Sequence, residues 1–454
     1  MVQQSFMPFF APFGWLAVML LAGVILRAKV GFFQRFLFPA ALIGGLIGFI
    51  GKSAGWCDIP HETFVSFAIH LFTISFISIG LTGTDEAAAG HSGSMRKSIV
   101  RGMLWMACIY VAIIAIQGLV GGAAIFLSNL MTGKPIWPGL GMLVGTGFAQ
   151  GPGQTVALAA VWEHSYHIKD AVSIGLCFVA IGFFIASLVG VPLANWGVRK
   201  GLTTAKTGAL SRDILKGLNP RKMGEPAGKL TTHSSSADGL AFQLSVVLAV
   251  YLLTYFECLL MEFLLPESVK ALAFGLMFLW GMFTAIIIRW ILGKMDLTDY
   301  LDNNVQRRIT SVSVDFMIIA TLTGVKVTAI WGNIVPILLV SLTAGLITVS
   351  FVLYFGRRLD EYGFERMLAI FGTATGTGAS GLMLLRIVDP DFTSPAAAEL
   401  GLYNAFALVL LPLTLVIFPL PQMNVSILFV VLTGYALAAV AGLKLFGFWK
   451  ARCW

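Results

Sequence analysis

Long apolar runs recur along the whole chain, and short polar or charged stretches separate them. A helix needs about 20 predominantly apolar residues to cross the hydrocarbon core of a bilayer. By this criterion the pattern predicts eleven membrane-spanning helices, at roughly 9–27, 36–56, 63–83, 98–128, 170–198, 240–262, 270–291, 311–330, 334–356, 396–420 and 425–447. The chain is therefore expected to be an all-α polytopic protein of the lipid bilayer.

Two further apolar segments, 137–162 and 367–386, contain glycine clusters that a spanning helix would tolerate poorly at its centre. The first includes Gly145-Thr-Gly-Phe-Ala-Gln-Gly-Pro-Gly-Gln-Thr155, and the second includes Gly372-Thr-Ala-Thr-Gly-Thr-Gly-Ala-Ser-Gly381. Irregular backbone survives at membrane depth only where it is buried in protein or lines an aqueous cavity. We therefore interpret both segments as re-entrant hairpins, which enter the membrane and return to the same side.

Positive charge gives the predicted orientation, since cytoplasmic loops collect Lys and Arg. With the N-terminus outside and neither hairpin crossing, most of the 30 Lys and Arg residues fall on the cytoplasmic side. The basic linker 199–239 and the C-terminus then lie in the cytoplasm. The parity of crossings makes the first hairpin enter from outside and the second from the cytoplasm, so their tips are predicted to meet near the midplane.

The two glycine clusters also align with each other at a constant spacing. The aligned pairs are Gly147 with Gly372, Ala149 with Ala374, Gly151 with Gly376, and Gly153 with Gly378. Matched elements in halves of opposite topology are typical of secondary transporters built from inverted repeats. The predicted units are a first repeat at 1–198, the linker at 199–239, a second repeat at 240–421, and an additional C-terminal helix with its tail at 422–454.

Neutral oxygens and helix N-termini make up the predicted binding site at the two hairpin tips. The free N–H groups at a helix N-terminus suit a carboxylate, and exposed carbonyl, hydroxyl and amide oxygens suit a dehydrated sodium ion. The predicted substrate and sodium ligands are Gln150, Gly151, Gly153, Gln154, Thr155, Thr373, Thr375, Gly376, Thr377, Gly378 and Ser380. Further candidates within the spans are Ser78, Thr82, Asp315, Thr323, Lys326 and Arg386. Close helix packing is the alternative interpretation of the glycines.

The three charged candidates each have a second interpretation. Asp315 is a candidate ligand for sodium or a substrate ammonium group, or else a solvated residue at a helix N-terminus. Lys326 either pairs with a substrate carboxylate or extends toward the interface. Arg386 either binds a carboxylate or follows the positive-inside bias, with Asp389 as a nearby partner.

Composition and motifs narrow the function classes. Hydrophobic residues make up 57% of the chain and charged residues only 11%, which a soluble domain could not accommodate. Glu163, His164 and His167 have the types of side chain that bind zinc, but an external loop explains them equally well, so no transition-metal site is expected. No phosphate-binding glycine loop ends in Lys-Ser or Lys-Thr. We therefore expect no enzymatic activity, no organic cofactor and no binding to nucleic acid.

Together these elements resemble the bacterial sodium:glutamate symporters. The resemblance rests on Phe76-Ile-Ser-Ile-Gly-Leu-Thr-Gly83, on the stretch 145–155, on Asp315-Phe-Met-Ile-Ile-Ala-Thr-Leu-Thr-Gly-Val-Lys326, on the stretch 372–381 and on the basic linker. It covers roughly residues 60–420. Members are similar in fold to the citrate and malate symporters. The resemblance implies two inverted five-helix repeats with re-entrant hairpins, a homodimer, an elevator-like movement and a place in the bacterial inner membrane.

The chain also departs from the family pattern. The first hairpin of the family typically reads like Gly-Gly-His-Gly-Thr-Gly, where this chain has Ala149-Gln-Gly-Pro-Gly-Gln154. The second has Gly376-Thr-Gly-Ala-Ser-Gly381 in place of Gly-Leu-Gly-Ala-Thr-Pro, and the eleventh span is additional. The resemblance implies sodium-coupled symport of L-glutamate or a related amino-dicarboxylate. The alternatives are a sodium-coupled citrate or malate symporter, a passive channel, or a proton antiporter that uses Asp315.

Overall fold

The structure is a computed structural model. It describes residues 10–83, 93–204, 215–218, 228–233, 235–267, 270–390, 392–403, 410–451 and 453, and within residues 93–96 and 411 only the backbone. The connection between the predicted spans 63–83 and 98–128 and the basic linker therefore lie largely outside the described residues. The described residues form helices and turns and contain no β-strand, which agrees with the predicted all-α class.

The first half of the chain contains nine α-helices in its described part. They are α1 (Phe10–Lys29), α2 (Gly31–Arg35), α3 (Ala40–Ser53), α4 (His61–Leu81), α5 (Gly93–Thr132), α6 (Leu143–Gly145), α7 (Pro152–His164), α8 (Ala171–Leu188) and α9 (Gly190–Arg199). A 3₁₀ turn, Pro138–Met142, precedes α6, and a π-helical turn, Thr146–Gln150, follows it. Residues 138–150 are therefore continuously helical, although the type of helix changes along them.

The described part of the second half contains eleven α-helices and two 3₁₀ turns, Thr298–Tyr300 and Leu420–Gln422. The helices are α10 (Gly239–Leu264), α11 (Ala271–Gly275), α12 (Met277–Lys294), α13 (Asn303–Thr323), α14 (Val327–Gly332), α15 (Ile334–Gly356), α16 (Gly363–Thr375), α17 (Gly378–Val388), α18 (Ala396–Leu402), α19 (Leu411–Ile417) and α20 (Val425–Leu445).

Eight helical segments of the described chain are long and apolar enough to cross a membrane, and each coincides with a predicted span. They are α1, α4, the part of α5 from Lys97, α8 together with α9, α10, α12, α15 and α20. The chain is thus a multi-pass membrane protein, as the hydrophobic pattern predicts.

The other three predicted spans differ from the prediction. The segment at 36–56 contains only a 14-residue helix, α3. The segment at 311–330 is divided, because α13 ends at Thr323 and α14 begins at Val327, after a glycine at the helix end. The segment at 396–420 contains the short helices α18 and α19, and residues 404–409 between them lie outside the described chain. Glycine and proline at these positions explain why local hydrophobicity overestimated helix length.

Loops that the charge pattern assigns to the same side of the membrane are in contact with each other. At one end of the bundle, Lys326 Nζ lies 3.2 Å from Glu62 Oε1, and Lys134 Nζ donates to the Gly332 carbonyl. At the other end, Arg289 donates to the Leu81 carbonyl. These contacts place the loops in two groups, one at each end of the bundle.

The additional helix α20 packs along α5, where Leu432 lies against Gly118 and Phe429 against Gly122. Beyond α20, the tail folds back onto the end of α15, and the ring of Trp449 lies 5.5 Å from that of Phe355. Lys450 Nζ donates to Asp360 Oδ2 at 2.6 Å, and the Cys453 N–H donates to the Arg357 carbonyl at 2.7 Å. The C-terminus is thus attached to the connection that leads into α16.

Candidate functional site

The first glycine cluster forms two helical arms with a break at Gly151. The first arm ends with the π-helical turn at Gln150, and the second arm, α7, begins at Pro152. Gly151 has φ 82°, a conformation that side-chain-bearing residues rarely adopt, and proline cannot donate the N–H that would continue the preceding helix. The rings of Trp137 and Trp162 lie 5.0 Å apart at the other end, so the arms run side by side as a hairpin.

The second cluster has the same plan, with its break at Gly376 and Thr377. The first arm, α16, ends at Thr375, and the second arm, α17, begins at Gly378. The arms approach closely, because a Cβ atom on Gly372 would lie 2.7 Å from the Ser380 carbonyl oxygen. We call the two structures hairpin 1 (138–164) and hairpin 2 (363–388), and their breaks the tips.

The two tips lie against each other. A Cβ atom on Gly151 would lie 3.0 Å from Thr377 Cγ2 and 4.0 Å from the Gly376 carbonyl oxygen. The two helix breaks are therefore neighbours in the structure.

Contacts along α5 define the direction from which each hairpin approaches. In hairpin 2, Arg366 donates to the Ser98 carbonyl near the start of α5, and the Ala374 carbonyl accepts from Gln117 at its centre. Hairpin 1 runs the opposite way: Asn129, near the end of α5, donates to the carbonyl of Ile136, which leads into the hairpin. The hairpins therefore reach the middle of α5 from its opposite ends.

Two side chains of α5 bond the hairpins directly beside their breaks. The Tyr110 hydroxyl donates to the Ala149 carbonyl at 2.8 Å, and Gln117 Nε2 donates to the Ala374 carbonyl at 3.0 Å. Both side chains are buried, and they lie seven positions apart, so they share one face of the helix. Sequence reasoning missed both residues; a glutamine inside an apolar span was the one available signal.

Each tip also presents the N-terminus of a helix without a side-chain cap. No side chain of the described residues caps α7 or α17. The first N–H groups of a helix lack intrahelical partners and carry the positive end of the helix dipole. The two tips therefore offer N–H donors suited to an anionic group.

The predicted glutamines of hairpin 1 lie on either side of its break and border one cavity. Gln150 and Gln154 line it together with Thr146 of the same hairpin and Thr414 of α19. The rest of the lining is mostly aliphatic, contributed by Ile114, Met142, Gly145, Leu158, Leu410, Leu413, Ile417 and Phe418. The cavity thus combines a neutral polar edge with an apolar wall, and Thr146 and Thr414 were not among the predicted residues.

The predicted residues of hairpin 2 divide into buried and accessible groups. Thr373 and Thr375 are buried and donate to the carbonyls of Ala369 and Phe371 one turn earlier, and Ser380 is also buried. Thr377 and Gly378 are partly exposed at the tip itself. In hairpin 1, Thr155 similarly donates to the Gly151 carbonyl. The hydroxyl oxygens of these threonines keep lone pairs for other partners.

Some of the glycines also serve close packing, the alternative interpretation. A Cβ atom on Gly153 would overlap the ring of Phe72, and one on Gly381 would overlap the Ala369 carbonyl. Gly378, in contrast, has open space at its Cβ position. Some glycines of these segments therefore allow close packing, and others leave the backbone exposed.

Two of the additional candidates belong to a different polar network. Ser78 Oγ lies 2.8 Å from Gln306 Oε1, and Gln306 Nε2 donates to Gln243 Oε1 at 3.0 Å. Thr82 donates to the Ser78 carbonyl. This network joins α4, α13 and α10.

Thr323, a further candidate, is buried beside Gly48 of α3, and its hydroxyl has no hydrogen-bond partner in the described chain.

The charged candidates lie on the surface of the chain. Asp315 is exposed on α13, next to Phe316, whose ring stacks on Phe13. Lys326 forms the surface ion pair with Glu62 described above. Arg386 is exposed on α17 and lies 5.1 Å from the centre of the Phe392 ring, whereas Asp389 accepts from Thr393 and Ser394.

The most buried ion pair of the described chain involves two residues that sequence reasoning did not select for the site. Arg366 at the base of hairpin 2 bonds Glu399 of α18 through two hydrogen bonds, Nε to Oε2 at 2.8 Å and Nη2 to Oε1 at 2.5 Å. Both side chains are at most 1% exposed. Gly102 of α5 leaves room for the carboxylate, since a Cβ atom there would overlap it. The pair holds hairpin 2 against α5 and α18.

Glu163, one of the side chains near the end of hairpin 1 that could bind zinc by type, makes a structural contact. Glu163 Oε2 accepts from the Val172 N–H at 2.9 Å, in the first turn of α8. In the described part of the chain no three His, Cys, Asp or Glu residues come together as a metal cluster.

Comparison with protein families gives a match over more than half of the 454 residues. The family model described as "Sodium/glutamate symporter" matches residues 13–360. The matched region includes hairpin 1 and ends just before hairpin 2. A search of curated proteins gave no match.

Proposed function

Because the chain belongs to the sodium/glutamate symporter family, we propose that it carries L-glutamate, or a closely related amino-dicarboxylate, together with sodium. The two hairpin tips form the shared binding site. Uncapped helix N-termini bind the carboxylate groups, and the carbonyl, hydroxyl and amide oxygens coordinate sodium. The candidate ligands are those predicted at the tips, with Gln150 and Gln154 facing the cavity.

The contact between Gly151 and Thr377 is the observation that carries this proposal. It joins two helix breaks that approach the middle of α5 from opposite ends. A binding site made of two discontinuous helical hairpins is typical of secondary transporters. Irregular backbone among long apolar helices is tolerated only where it is buried in protein or lines an aqueous cavity, and both breaks lie inside the helical bundle.

The same geometry supports the larger arrangement that we propose. Residues 1–198 and 240–421 form two inverted repeats, in which 137–162 and 367–386 are re-entrant hairpins joined by the basic linker 199–239. The N-terminus lies outside the bacterial inner membrane, and the linker and C-terminus lie in the cytoplasm. Transport proceeds by an elevator-like movement of the hairpin-bearing part within a homodimer.

Sodium and substrate raise each other's affinity in this mechanism. The tips supply neutral oxygens, so sodium provides the positive charge that assembles the site, and the substrate carboxylate completes it. The coupling is reciprocal by thermodynamic necessity. Equal substrate affinity with and without sodium would contradict the coupling.

The test is uptake of labelled L-glutamate into proteoliposomes under an inward sodium gradient, with a potassium gradient as the control. The expected result is saturable, sodium-dependent uptake of L-glutamate that only amino-dicarboxylates inhibit. Among the competitors D-glutamate, malate and citrate, the last two should therefore leave uptake unchanged. Uptake of citrate or malate without glutamate would instead support the second candidate, a hydroxycarboxylate symporter. The reason to test that candidate is the departure of the hairpin sequences from the family pattern, at Gly376-Thr-Gly-Ala-Ser-Gly381 in particular.

Two other classes are distinguished by the same preparation. A passive channel would give non-saturating flux without a fixed ratio of sodium to substrate. A proton antiporter would require a titrating carboxylate, for which Asp315 is the candidate within the spans. Loss of transport in Asp315→Asn, together with proton-driven exchange in the native protein, would favour the antiporter.

A further inference from the structure

Gln117 is a fully buried glutamine at the centre of α5, where three helices meet. Its Nε2 donates to the Ala374 carbonyl in α16 at 3.0 Å and to Thr348 Oγ1 in α15 at 2.9 Å. Thr348 in turn donates to the Ala344 carbonyl of its own helix. Both N–H groups of the amide are therefore used, and their acceptors fix the plane of the side chain.

The remaining polar atom of this amide, Oε1, is buried without a hydrogen-bond partner in the described chain. A buried acceptor left unpaired costs roughly 1–3 kcal/mol, so native proteins seldom contain one without a bound water, ion or ligand. The amide cannot relieve this by flipping, because its two N–H groups already have acceptors. The unpaired oxygen is therefore available to a bound water or ion, and its surroundings decide between them.

The surroundings of Gln117 favour a cation over any other ligand. Ala374 is the second-last residue of α16, and no backbone N–H of the described residues caps the end of that helix at Gly376. The carbonyl end of a helix carries the negative end of its dipole. An unpaired amide oxygen beside uncapped carbonyls is a set of neutral oxygen donors, which suits a hard monovalent cation.

We propose that Gln117 Oε1 is a ligand of the coupling sodium ion. The two hydrogen bonds that the amide of Gln117 donates fix the orientation of this oxygen. The inference rests on the proposed function and names a residue outside both hairpins. Thr348 is a positioning residue, because it orients the ligand without contacting the ion. Sodium at this position would join α5 to the end of α16 and so stabilise the tip of hairpin 2.

The experiment compares sodium dependence in purified, reconstituted protein. Gln117→Leu removes the oxygen together with the amide group that donates to Ala374 and Thr348, at similar volume. Thr348→Val removes only the accepting hydroxyl, without changing the shape of the side chain. Ser341→Ala and Ser128→Ala are matched controls, since each deletes a buried hydroxyl without a described partner from α15 or α5. The half-saturating sodium concentration, the maximal rate and the relative use of lithium are measured for each.

We expect Gln117→Leu to raise the half-saturating sodium concentration about 10- to 100-fold and to change the preference for lithium over sodium, as loss of a ligand does. Thr348→Val is expected to raise it by about 10-fold, a typical result of losing an outer-shell partner. The two serine variants should match the native protein. Unchanged sodium dependence and ion preference in Gln117→Leu, with uptake retained, would overturn the proposal.

A second measurement separates this inference from the proposed function. Sodium-dependent thermal stabilisation of the detergent-solubilised protein reports ion binding whether or not glutamate is the substrate. If native protein is stabilised by sodium but does not transport glutamate, the proposed substrate is wrong and the test of Gln117 continues. Equal stabilisation of the native protein and Thr348→Val, or no stabilisation of the native protein, counts against the sodium ligand. Thr348→Val also serves as the test variant if Gln117→Leu does not fold.

Discussion

Gly151 and Thr377 lie in contact where the two helix breaks meet, although hundreds of residues separate them in the sequence. Gly151 combines a left-handed backbone conformation, φ 82°, with a neighbour only 3.0 Å from the position that a Cβ atom would occupy. The backbone conformation by itself strongly favours glycine, and the close neighbour adds a steric reason for the same residue. The position of each hairpin tip thus depends on the other.

Gly151→Ala is therefore expected to lower the rate of glutamate uptake by about 100-fold, the effect of displacing a binding group by roughly 1 Å. Gly133→Ala is the matched control, because Gly133 has a similar φ of 68° with open space at its Cβ position. Gly133→Ala reports the effect of a side chain at positive φ, whereas Gly151→Ala adds the close contact with Thr377 and a ψ of −176°, in a region essentially restricted to glycine that costs about 1–3 kcal/mol. Equal uptake by the two variants would mean that strain, not the contact with Thr377, sets the effect.

Tyr110→Phe removes the hydroxyl that donates to the Ala149 carbonyl. A buried carbonyl without its partner costs about 1–3 kcal/mol, so thermal unfolding should occur at a lower temperature and glutamate uptake should fall. Tyr166→Phe is the control, since the Tyr166 hydroxyl has no hydrogen-bond partner in the described chain. A Tyr166→Phe variant as unstable as Tyr110→Phe would refute the importance of the Ala149 contact.

Glu399→Gln leaves the buried guanidinium of Arg366 without its counter-charge. Breaking a buried ion pair by changing one partner typically costs about 3–5 kcal/mol, whereas replacing both partners with apolar residues is often close to neutral. We expect Glu399→Gln to unfold at a much lower temperature than the double variant Arg366→Met with Glu399→Met. A double variant that is less stable than Glu399→Gln would contradict this account.

The attachment of the C-terminal tail is expected to depend on pH. The ammonium group of Lys450 holds the pKa of Asp360 below its usual value of 3.8, with a smaller contribution from Arg101. A lowered carboxyl pKa contributes stability above the ordinary value, and that contribution is lost as the pH falls through the lowered pKa. Both side chains are partly exposed, so the effect is under about 1 kcal/mol and weakens in salt.

A spin label on Cys453, with the other four cysteines replaced, measures this attachment. The label should be immobilised at neutral pH and become more mobile below the lowered pKa. Asp360→Asn should make it mobile at both pH values. Equal mobility of the label at neutral pH with Asp360 present and in Asp360→Asn would show that the ion pair does not hold the tail.

Much of the fold follows from local sequence, because a run of apolar residues and a cluster of glycines each have direct structural consequences. The eight long helices, the break at Gly151 and the break at Gly376 are predicted in this way. The short helices α3, α18 and α19 are not, since hydrophobicity alone does not reveal where a helix ends within an apolar run. For the same reason α13 and α14 were predicted as one span.

The contacts that hold the tips could not be predicted from local patterns. Gln117 is unusual in an apolar helix and Tyr110 is not, but the partners of both, Ala374 and Ala149, are distant in sequence. Arg366 and Glu399 are charged residues beside apolar segments, and nothing in their local sequence identifies them as partners in the core. Only the three-dimensional arrangement identifies such partners, because the relevant property is the satisfaction of a buried polar group.

The neutral lining of the cavity beside Gln150 and Gln154 has an electrical consequence. If the site that moves across the membrane contributes no fixed charge, the charge transferred in each cycle is that of the cargo alone. L-Glutamate carries one net negative charge at neutral pH, so one accompanying sodium ion would make the cycle insensitive to voltage. Two or more would generate an inward current, and the membrane potential itself would then drive accumulation.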